Sequence, residues 1–426
     1  MTTLILSSSY PLPADVGRKV VMSGFLEWLQ GAGSAGSAHS GRIVYAHLAP
    51  PRREQRDRLA VDLYEAEIDP AWKRLGAMAV EGLLRRRMPL QIAALGAADA
   101  AETLARLVAK LAPDLVIADT LRVVPVLERL PLEGARKVLY LDDLYSRRYA
   151  RMIETIDRHP EAELDSLGTF ARFLPNWMTR LVRLPRLQRA LLMREMALME
   201  VAEDSAPPRF DRCLLLNGQE AELLRRRSGA DNIVSVPPFI KARECRLEPR
   251  PLDPPRFLFL GNLGYPANAY GLSRFLSEAA PQLFAARPDA SLDIIGKGAG
   301  PALQAQVARL GGRVRLRGFV EDLDAALADA TALIAPVLYG TGVKIKIIDA
   351  LARGLPIVST PTGVEGIEVV DGREGFLRET LAGFVEPLLQ LTDPVVNRAS
   401  SEAALELYRR RYSRDAAFAA YEEAFA

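Results

Sequence analysis

The sequence predicts a two-domain α/β protein built on doubly wound, mostly parallel sheets. Three observations predict it. Short apolar runs alternate with longer helical patterns through most of the 426 residues, the order expected of βαβα units. Several of these runs, such as Phe257-Leu258-Phe259-Leu260 and Leu333-Ile334-Ala335, are apolar at every position. Strands look like that when helices cover both faces of a parallel sheet. Finally, Val236 to Arg256 is dense in Pro, with VPPF and EPRPLDPPR. Pro at that density disfavours helix and breaks strand ladders, so the stretch reads as a linker. It separates two halves of ordinary domain size.

In the first half the expected strands are Thr3–Ser7, Arg42–His47, Asp114–Ala118, Lys137–Leu141 and Arg212–Leu216. In the second they are Arg256–Leu260, Ser291–Ile295, Arg313–Leu316, Ala332–Ala335 and Pro356–Ser359. Gly31–Gly41 (GAGSAGSAHSG) reads as a small-residue loop. Tyr149 to Arg209 breaks the rhythm: a strand is due there, yet the stretch reads helical, basic and apolar. The predicted boundaries are 1–240 for the first domain, with a helical insertion about 149–209, and 254–408 for the second. Residues 409–426 form a closing segment.

Composition excludes several classes. Hydrophobic residues make up 49% and charged residues 25%, so the chain can bury two cores. A net charge of +2 supplies no global field for nucleic acid. The two cysteines, Cys213 and Cys245, lack CxxC spacing and make no disulfide framework, which fits a reducing, cytoplasmic setting. Met1–Ser9 has no charged leader and a short apolar run, so it reads as a first strand. No apolar stretch approaches the ~20 residues that a membrane-spanning helix needs. His39, His47 and His159 share no ligand spacing and read as structural or surface residues.

The chemistry concentrates in LYGTGVKIKIIDALARGLPIVSTPTGVEGI, Leu338 to Ile367. Gly340-Thr341-Gly342 follows a strand and opens a helix. Small residues there let backbone N–H groups approach an anion, and the helix N-terminus adds positive potential. Lys344 and Lys346 bring cations to the same end, where the helix dipole disfavours them unless an anion is bound. The group reads as a diphosphate cradle. Asp349, about two turns after Thr341, is expected on the same helix face, able to accept hydrogen bonds from both hydroxyls of a ribose. An amphipathic helix with solvated lysines has the same spacing, and Gly-Thr-Gly alone is a weak signal. A second loop, Gly296-Lys297-Gly298-Ala299-Gly300, joins a strand end to a helix at the carboxyl edge of the sheet, where open α/β sheets bind ligands. A plain turn has that composition too. Arg317-Gly318-Phe319-Val320 follows another strand and is placed to edge a base pocket.

Phe257 to Arg378 resembles the donor domain of family 4, or group 1, glycosyltransferases. The motifs that carry the resemblance are Gly261…Pro266-Ala267-Asn268, Gly318-Phe319-Val320-Glu321-Asp322 and the run from Gly342 to Pro356. Ser359-Thr360-Pro361 and Gly363-Val364-Glu365-Gly366-Ile367 continue it. The N-terminal half is similar more loosely, through Tyr10-Pro11-Leu12-Pro13-Ala14-Asp15-Val16-Gly17-Arg18-Lys19, which resembles the family's first loop. Arg411-Tyr412-Ser413 resembles its entry to the last helix.

The resemblance implies GT-B architecture: two Rossmann-like domains facing a cleft, with a C-terminal helix crossing back to the first. It implies transfer of a sugar, with retention, from a nucleotide-sugar donor to a glycan, lipid-linked or other acceptor, as in polysaccharide biosynthesis, without a metal cofactor. The implied donor-binding residues are Gly17, Gly261, Asn262, Gly296, Lys297, Val320, Thr341, Gly342, Val343 and Asp349. The implied catalytic residues are Asp142, Lys344 and Lys346.

Departures from the family pattern are specific. The family's two Glu, eight residues apart, stand here as Thr341 and Asp349. The usual Arg and Lys after the first donor-domain strand are replaced by Gly261-Asn262-Leu263-Gly264-Tyr265. Asp142, in Leu141-Asp142-Asp143, falls where members place a His; a strand-end Asp capping the next helix fits equally. A nucleotide-sugar 2-epimerase and a sugar-nucleotide-binding pseudoenzyme remain as rivals.

Arg172 to Arg194 reads RFLPNWMTRLVRLPRLQRALLMR, with no acidic residue. Basic, amphipathic and Trp-bearing, it has the composition of a helix lying on an anionic membrane surface. The expectation is peripheral attachment to the cytoplasmic face of the membrane. A helical insertion packed on its own domain has the same stripes.

Overall fold

The computed structural model describes residues 1–14, 17–31, 41–49, 59–85, 87–95, 98–158, 185–241 and 250–426. The chain divides into two compact units. The first holds Met1–Glu154, the described residues from Pro185 to Pro238, and Phe418–Ala426; the second holds the described residues Thr155–Arg158 and Phe239–Ala417.

The first sheet has seven strands: β1 (Thr2–Ser7), β2 (Arg42–Ala49), β3 (Asp62–Glu67), β4 (Leu115–Asp119), β5 (Arg136–Asp142), β6 (Arg212–Leu215) and β7 (Ile233–Ser235). Their order is β3-β2-β1-β4-β5-β6-β7, with every pairing parallel. The second sheet has six: β8 (Arg256–Leu260), β9 (Ser291–Ile295), β10 (Val314–Gly318), β11 (Ala332–Ala335), β12 (Ile357–Ser359) and β13 (Gly375–Leu377). Their order is β10-β9-β8-β11-β12-β13, again all parallel. Both are doubly wound, Rossmann-like sheets, as the resemblance implies. In each, the strand order reverses beside the first strand, between β1 and β4 and between β8 and β11. Open α/β sheets bind ligands at the carboxyl ends of the strands at such a reversal.

The apolar runs explain the central strands. All five residues of β4 are buried, as are all of β11 and β12. Three strands escaped the sequence reading. β3 reads DLYEAE and is largely exposed at the sheet edge, so burial left little apolar pattern to find. β7 and β13 have three residues each, too few for a periodic signal. The stretch that broke the rhythm is helical where it is described, over Tyr145–Arg158 and Pro185–Ser205.

Each unit has its own core. In the first, Phe25 and Trp28 of the helix Gly17–Gly31 are fully buried against Tyr421 and Phe425 near the chain's end. Ring centroids lie 5.4 Å apart for Phe25–Tyr421 and 4.9 Å for Trp28–Phe425. The closing residues are thus a packing element of the first unit. Truncating one such ring costs about 3–5 kcal/mol. In the second unit Phe257, Phe259, Phe275 and Phe384 fill the space between sheet and helices.

Candidate functional site

The second unit gathers three loops at the carboxyl end of β8. Gly261 follows that strand and donates its N–H to Ile295 O at 3.0 Å. Gly296, just past β9, lies so close that a Cβ there would sit 1.8 Å from Gly261 O, so only glycine allows this approach. Leu263 N donates to Lys297 O at 2.7 Å, fastening the two loops. Asn262 turns its side chain into its own loop, where Oδ1 accepts from Gly264 N at 2.9 Å. The Lys297 ammonium stands 4.5 Å from the centroid of the Phe319 ring, beside half-buried Val320. Gly261, Asn262, Gly296, Lys297 and Val320 thus share one rim.

The Gly340–Lys344 segment lies beside it; a Cβ at Gly340 would meet the Ala267 methyl at 3.9 Å. One expectation is corrected here. The helix begins at Ile345, with Lys344 as its N-cap, so Thr341, Gly342 and Val343 precede it. Thr341 and Asp349 therefore do not share a helix face. Gly340 and Gly342 have φ of +116° and +76°, backbone that side chains resist, so the chain turns before the helix can start.

The two lysines differ. Lys344 folds back, donating from Nζ to Gly342 O at 2.8 Å. Lys346 reaches the end of β8, where Nζ donates to Asn268 Oδ1 at 3.0 Å and lies 4.9 Å from the centroid of the Phe259 ring. Neither partner carries negative charge. Burial, with nearby Lys344 adding repulsion, lowers the Lys346 ammonium to about 7. An ammonium this desolvated gains from an anion placed beside it.

Asp349 is half-buried and held by Arg353, whose Nη1 donates to its Oδ1 at 3.2 Å and to its backbone O at 2.9 Å. Arg353 is buried and also grips Asp324 through Nε at 2.9 Å. Burial raises the Asp349 carboxyl while Arg353 opposes the shift. Sequence reasoning passed over Arg353 and Asp324. The i,i+4 spacing of Asp349 and Arg353 was the available signal; the Asp324 contact has none, since it comes from another helix, Leu323–Ala328.

The first unit has its own strand-edge cluster. Arg18, next to Gly17 at the start of its helix, donates from Nη1 to Asp142 Oδ2 at 2.9 Å and from Nη2 to Asp119. Ser7 Oγ donates to the same Asp119. These residues close β1, β4 and β5, at the reversal of strand order. Two non-glycine residues there hold positive φ: Thr120 at +73° and Asp142 at +72°. Such backbone is costly and collects at functional sites. Burial raises the Asp142 carboxyl to about 6, with Arg18 pulling down and Asp143 pushing up. Asp142 does not cap the following helix. Leu144 N donates to Glu220 Oε2 and Ser146 N to Glu203 Oε1, so carboxylates from elsewhere take the first amides.

His47 is buried, edge-on to Tyr10 with centroids 5.6 Å apart, and Cys213 is buried. His39, His159, Cys245 and the basic residues 172–184 lie outside the described residues. Arg194, at the end of that stretch, pairs with Glu195 at 3.0 Å. No described helix is long and apolar enough to cross a membrane.

Residues 254–393 match the family model of glycosyl transferases group 1. Over this segment the chain is similar to the group 1 glycosyl transferases. The rim, the Gly340–Lys344 turn and Lys346 all lie within the group 1 segment. The phosphatidyl-myo-inositol mannosyltransferase of Mycobacterium tuberculosis is 30% identical over 148 residues, 34% of this chain and 38% of that protein. The chain spans less than two fifths of the length of the curated relatives it matches. Among solved structures, sucrose-phosphate synthase from Thermosynechococcus elongatus superposes with a TM-score of 0.62 at 14% identity, over 100% of this chain and 98% of that one. Anabaena Alr3699/HepE in complex with UDP gives 0.58 at 13% identity, over 100% and 99%. At these identities the likeness is one of fold, and the fold is GT-B, two Rossmann-like units in one chain.

Proposed function

We propose that this protein is a glycosyltransferase that moves a sugar, with retention, from a nucleoside-diphosphate sugar to a glycan, lipid-linked or other acceptor. The observation that carries the reading is Lys346: a half-buried ammonium that no described carboxylate neutralises, at the reversal of the second sheet, beside a Gly-rich turn. Charge grows on the diphosphate as it leaves, and preorganised donors that meet it lower the barrier. In this reading Lys344, Lys346 and the amides around Gly342 and Val343 take the diphosphate. Thr341 faces the sugar, Val320 edges the base, and Asp349 takes the ribose, with Arg353 setting its orientation. Gly261, Asn262, Gly296 and Lys297 form the rim that admits the donor. In the first unit, Gly17 is assigned to donor binding and Asp142 to catalysis. No metal is required.

The titration of UDP, GDP and ADP in EDTA, followed by incubation with nucleotide sugars, tests this. Binding of at least one nucleotide and release of it from its sugar are expected. Failure of all three to bind overturns the donor site, and tight binding without turnover or transfer favours a pseudoenzyme.

The reading extends to place. Residues 172–194 combine six arginines with Trp177 and apolar neighbours, a composition suited to anionic lipid. We place the protein in the cytoplasm, with this stretch resting on the inner face of the membrane. A lipid-linked acceptor suits that placement.

A further inference from the structure

We propose that Asn268 is a positioning residue, whose carboxamide bridges the Asn262 carbonyl and the Lys346 ammonium and so fixes that ammonium at the carboxyl end of β8. The inference rests on the donor-site reading for its purpose, and on side-chain geometry for its substance.

Asn268 sits in the first turn of the helix Pro266–Glu278. Its Nδ2 donates to Asn262 O at 3.0 Å, and its Oδ1 accepts from Lys346 Nζ at 3.0 Å, across 78 residues of sequence. The chemistry of the partners fixes the orientation of the amide. An ammonium only donates and a carbonyl only accepts. A flipped amide would set two donors face to face at one end and two acceptors at the other. A carboxylate at this position would face the Asn262 carbonyl as a second acceptor. A hydrophobe would satisfy neither partner.

The surroundings are shaped to this amide. A Cβ on Gly261 would lie 3.0 Å from Asn268 Nδ2 and 3.2 Å from its Cγ, so any side chain at 261 would press on the bridge. The Phe259 ring also holds the ammonium, 4.9 Å from its centroid. Both restraints orient Lys346 without cancelling its charge. Arg353, in the same unit, shows the contrast: two carboxylates, Asp324 and Asp349, neutralise it as a structural cation. No described carboxylate neutralises Lys346, so the group is left for a ligand, and the neutral Asn268 is what allows this.

The test combines a ligand-free measurement with a binding cycle. In the full chain without nucleotide, the pH dependence of Lys346 acetylation by acetic anhydride is followed by peptide mass spectrometry. Asn268→Asp sets a carboxylate against the ammonium, so the midpoint should rise by at least one pH unit. An unchanged midpoint overturns the bridge, whatever the nucleotide result. For binding, UDP is titrated, or GDP or ADP where the wild type takes only those. Asn268→Ala should weaken affinity about tenfold, and adding it to Lys346→Ala should weaken it no further, because the two act through one group. Full additivity overturns the positioning role. Failure of the wild type to bind any of the three overturns the donor reading and leaves the acetylation result to decide the bridge. Thermal unfolding of each variant confirms that the fold is intact.

Discussion

Arg18 ties Asp142 to the first sheet: its Nη1 donates to Asp142 Oδ2 at 2.9 Å while its Nη2 reaches Asp119. One guanidinium thus serves a buried carboxylate, Asp119, and a half-buried one, Asp142, on neighbouring strand ends. Removing one member of a buried pair leaves uncompensated charge, which costs about 3–5 kcal/mol. Arg18→Leu should lose stability on that order near pH 8, measured by denaturant unfolding. The loss should shrink at pH 5. Asp142 sits at about 6 in the folded chain, above the ~3.9 of an unfolded Asp. Its contribution to stability is therefore full below about 4 and lost as pH rises to about 6. Asp142→Asn should flatten the stability curve over that window.

Lys346 gives a second handle on pH. Its folded value of about 7 lies below the ordinary 10.5, so holding the charge costs the folded chain most below pH 7. That cost fades as pH rises from 7 toward 10.5. A bound diphosphate reverses the preference. Nucleotide binding at pH 7.5 should take up a proton fraction, visible as an observed enthalpy that changes with the buffer's ionisation heat. Lys346→Met should abolish the buffer dependence and lower turnover by a few kcal/mol in transition-state stabilisation. A buffer-independent enthalpy in the wild type would put the phosphate elsewhere.

Asp349→Asn should weaken nucleotide binding while sparing inorganic pyrophosphate, since its assigned partner is a ribose. The loss should be modest, about 1–2 kcal/mol, because an amide oxygen can still accept one hydrogen bond. Calorimetric titration with both ligands separates the outcomes. Equal loss for both would make Asp349 a structural partner of Arg353 alone.

Arg180, Arg183 and Arg186 replaced by Glu should release the protein from anionic liposomes and leave nucleotide affinity unchanged. The wild type should co-sediment with anionic but not neutral vesicles, less so as salt rises. Equal recovery in the soluble fraction with both vesicle types at low salt would argue for an acceptor taken from solution.

The sequence alone determined the two doubly wound sheets, because strands buried on both faces, such as β4, β11 and β12, must be apolar throughout. It also marked the Gly-rich turn after β11, because Gly340 and Gly342 adopt backbone that few other residues tolerate. Edge strand β3 and the three-residue β7 and β13 stayed hidden, since exposure and brevity erase periodicity. Where the helix after Gly342 begins was decided by the fold: Lys344 became the N-cap, which separated Thr341 from the face that carries Asp349. The partners of the charged residues were also beyond reach. Arg18 meets Asp119 and Asp142 across 101 and 124 residues, and Lys346 meets Asn268 across 78. Such pairs are set by which strand ends and helix starts the topology brings to one edge. No local spacing records them, and the burial that shifts their charges exists only once the chain has folded.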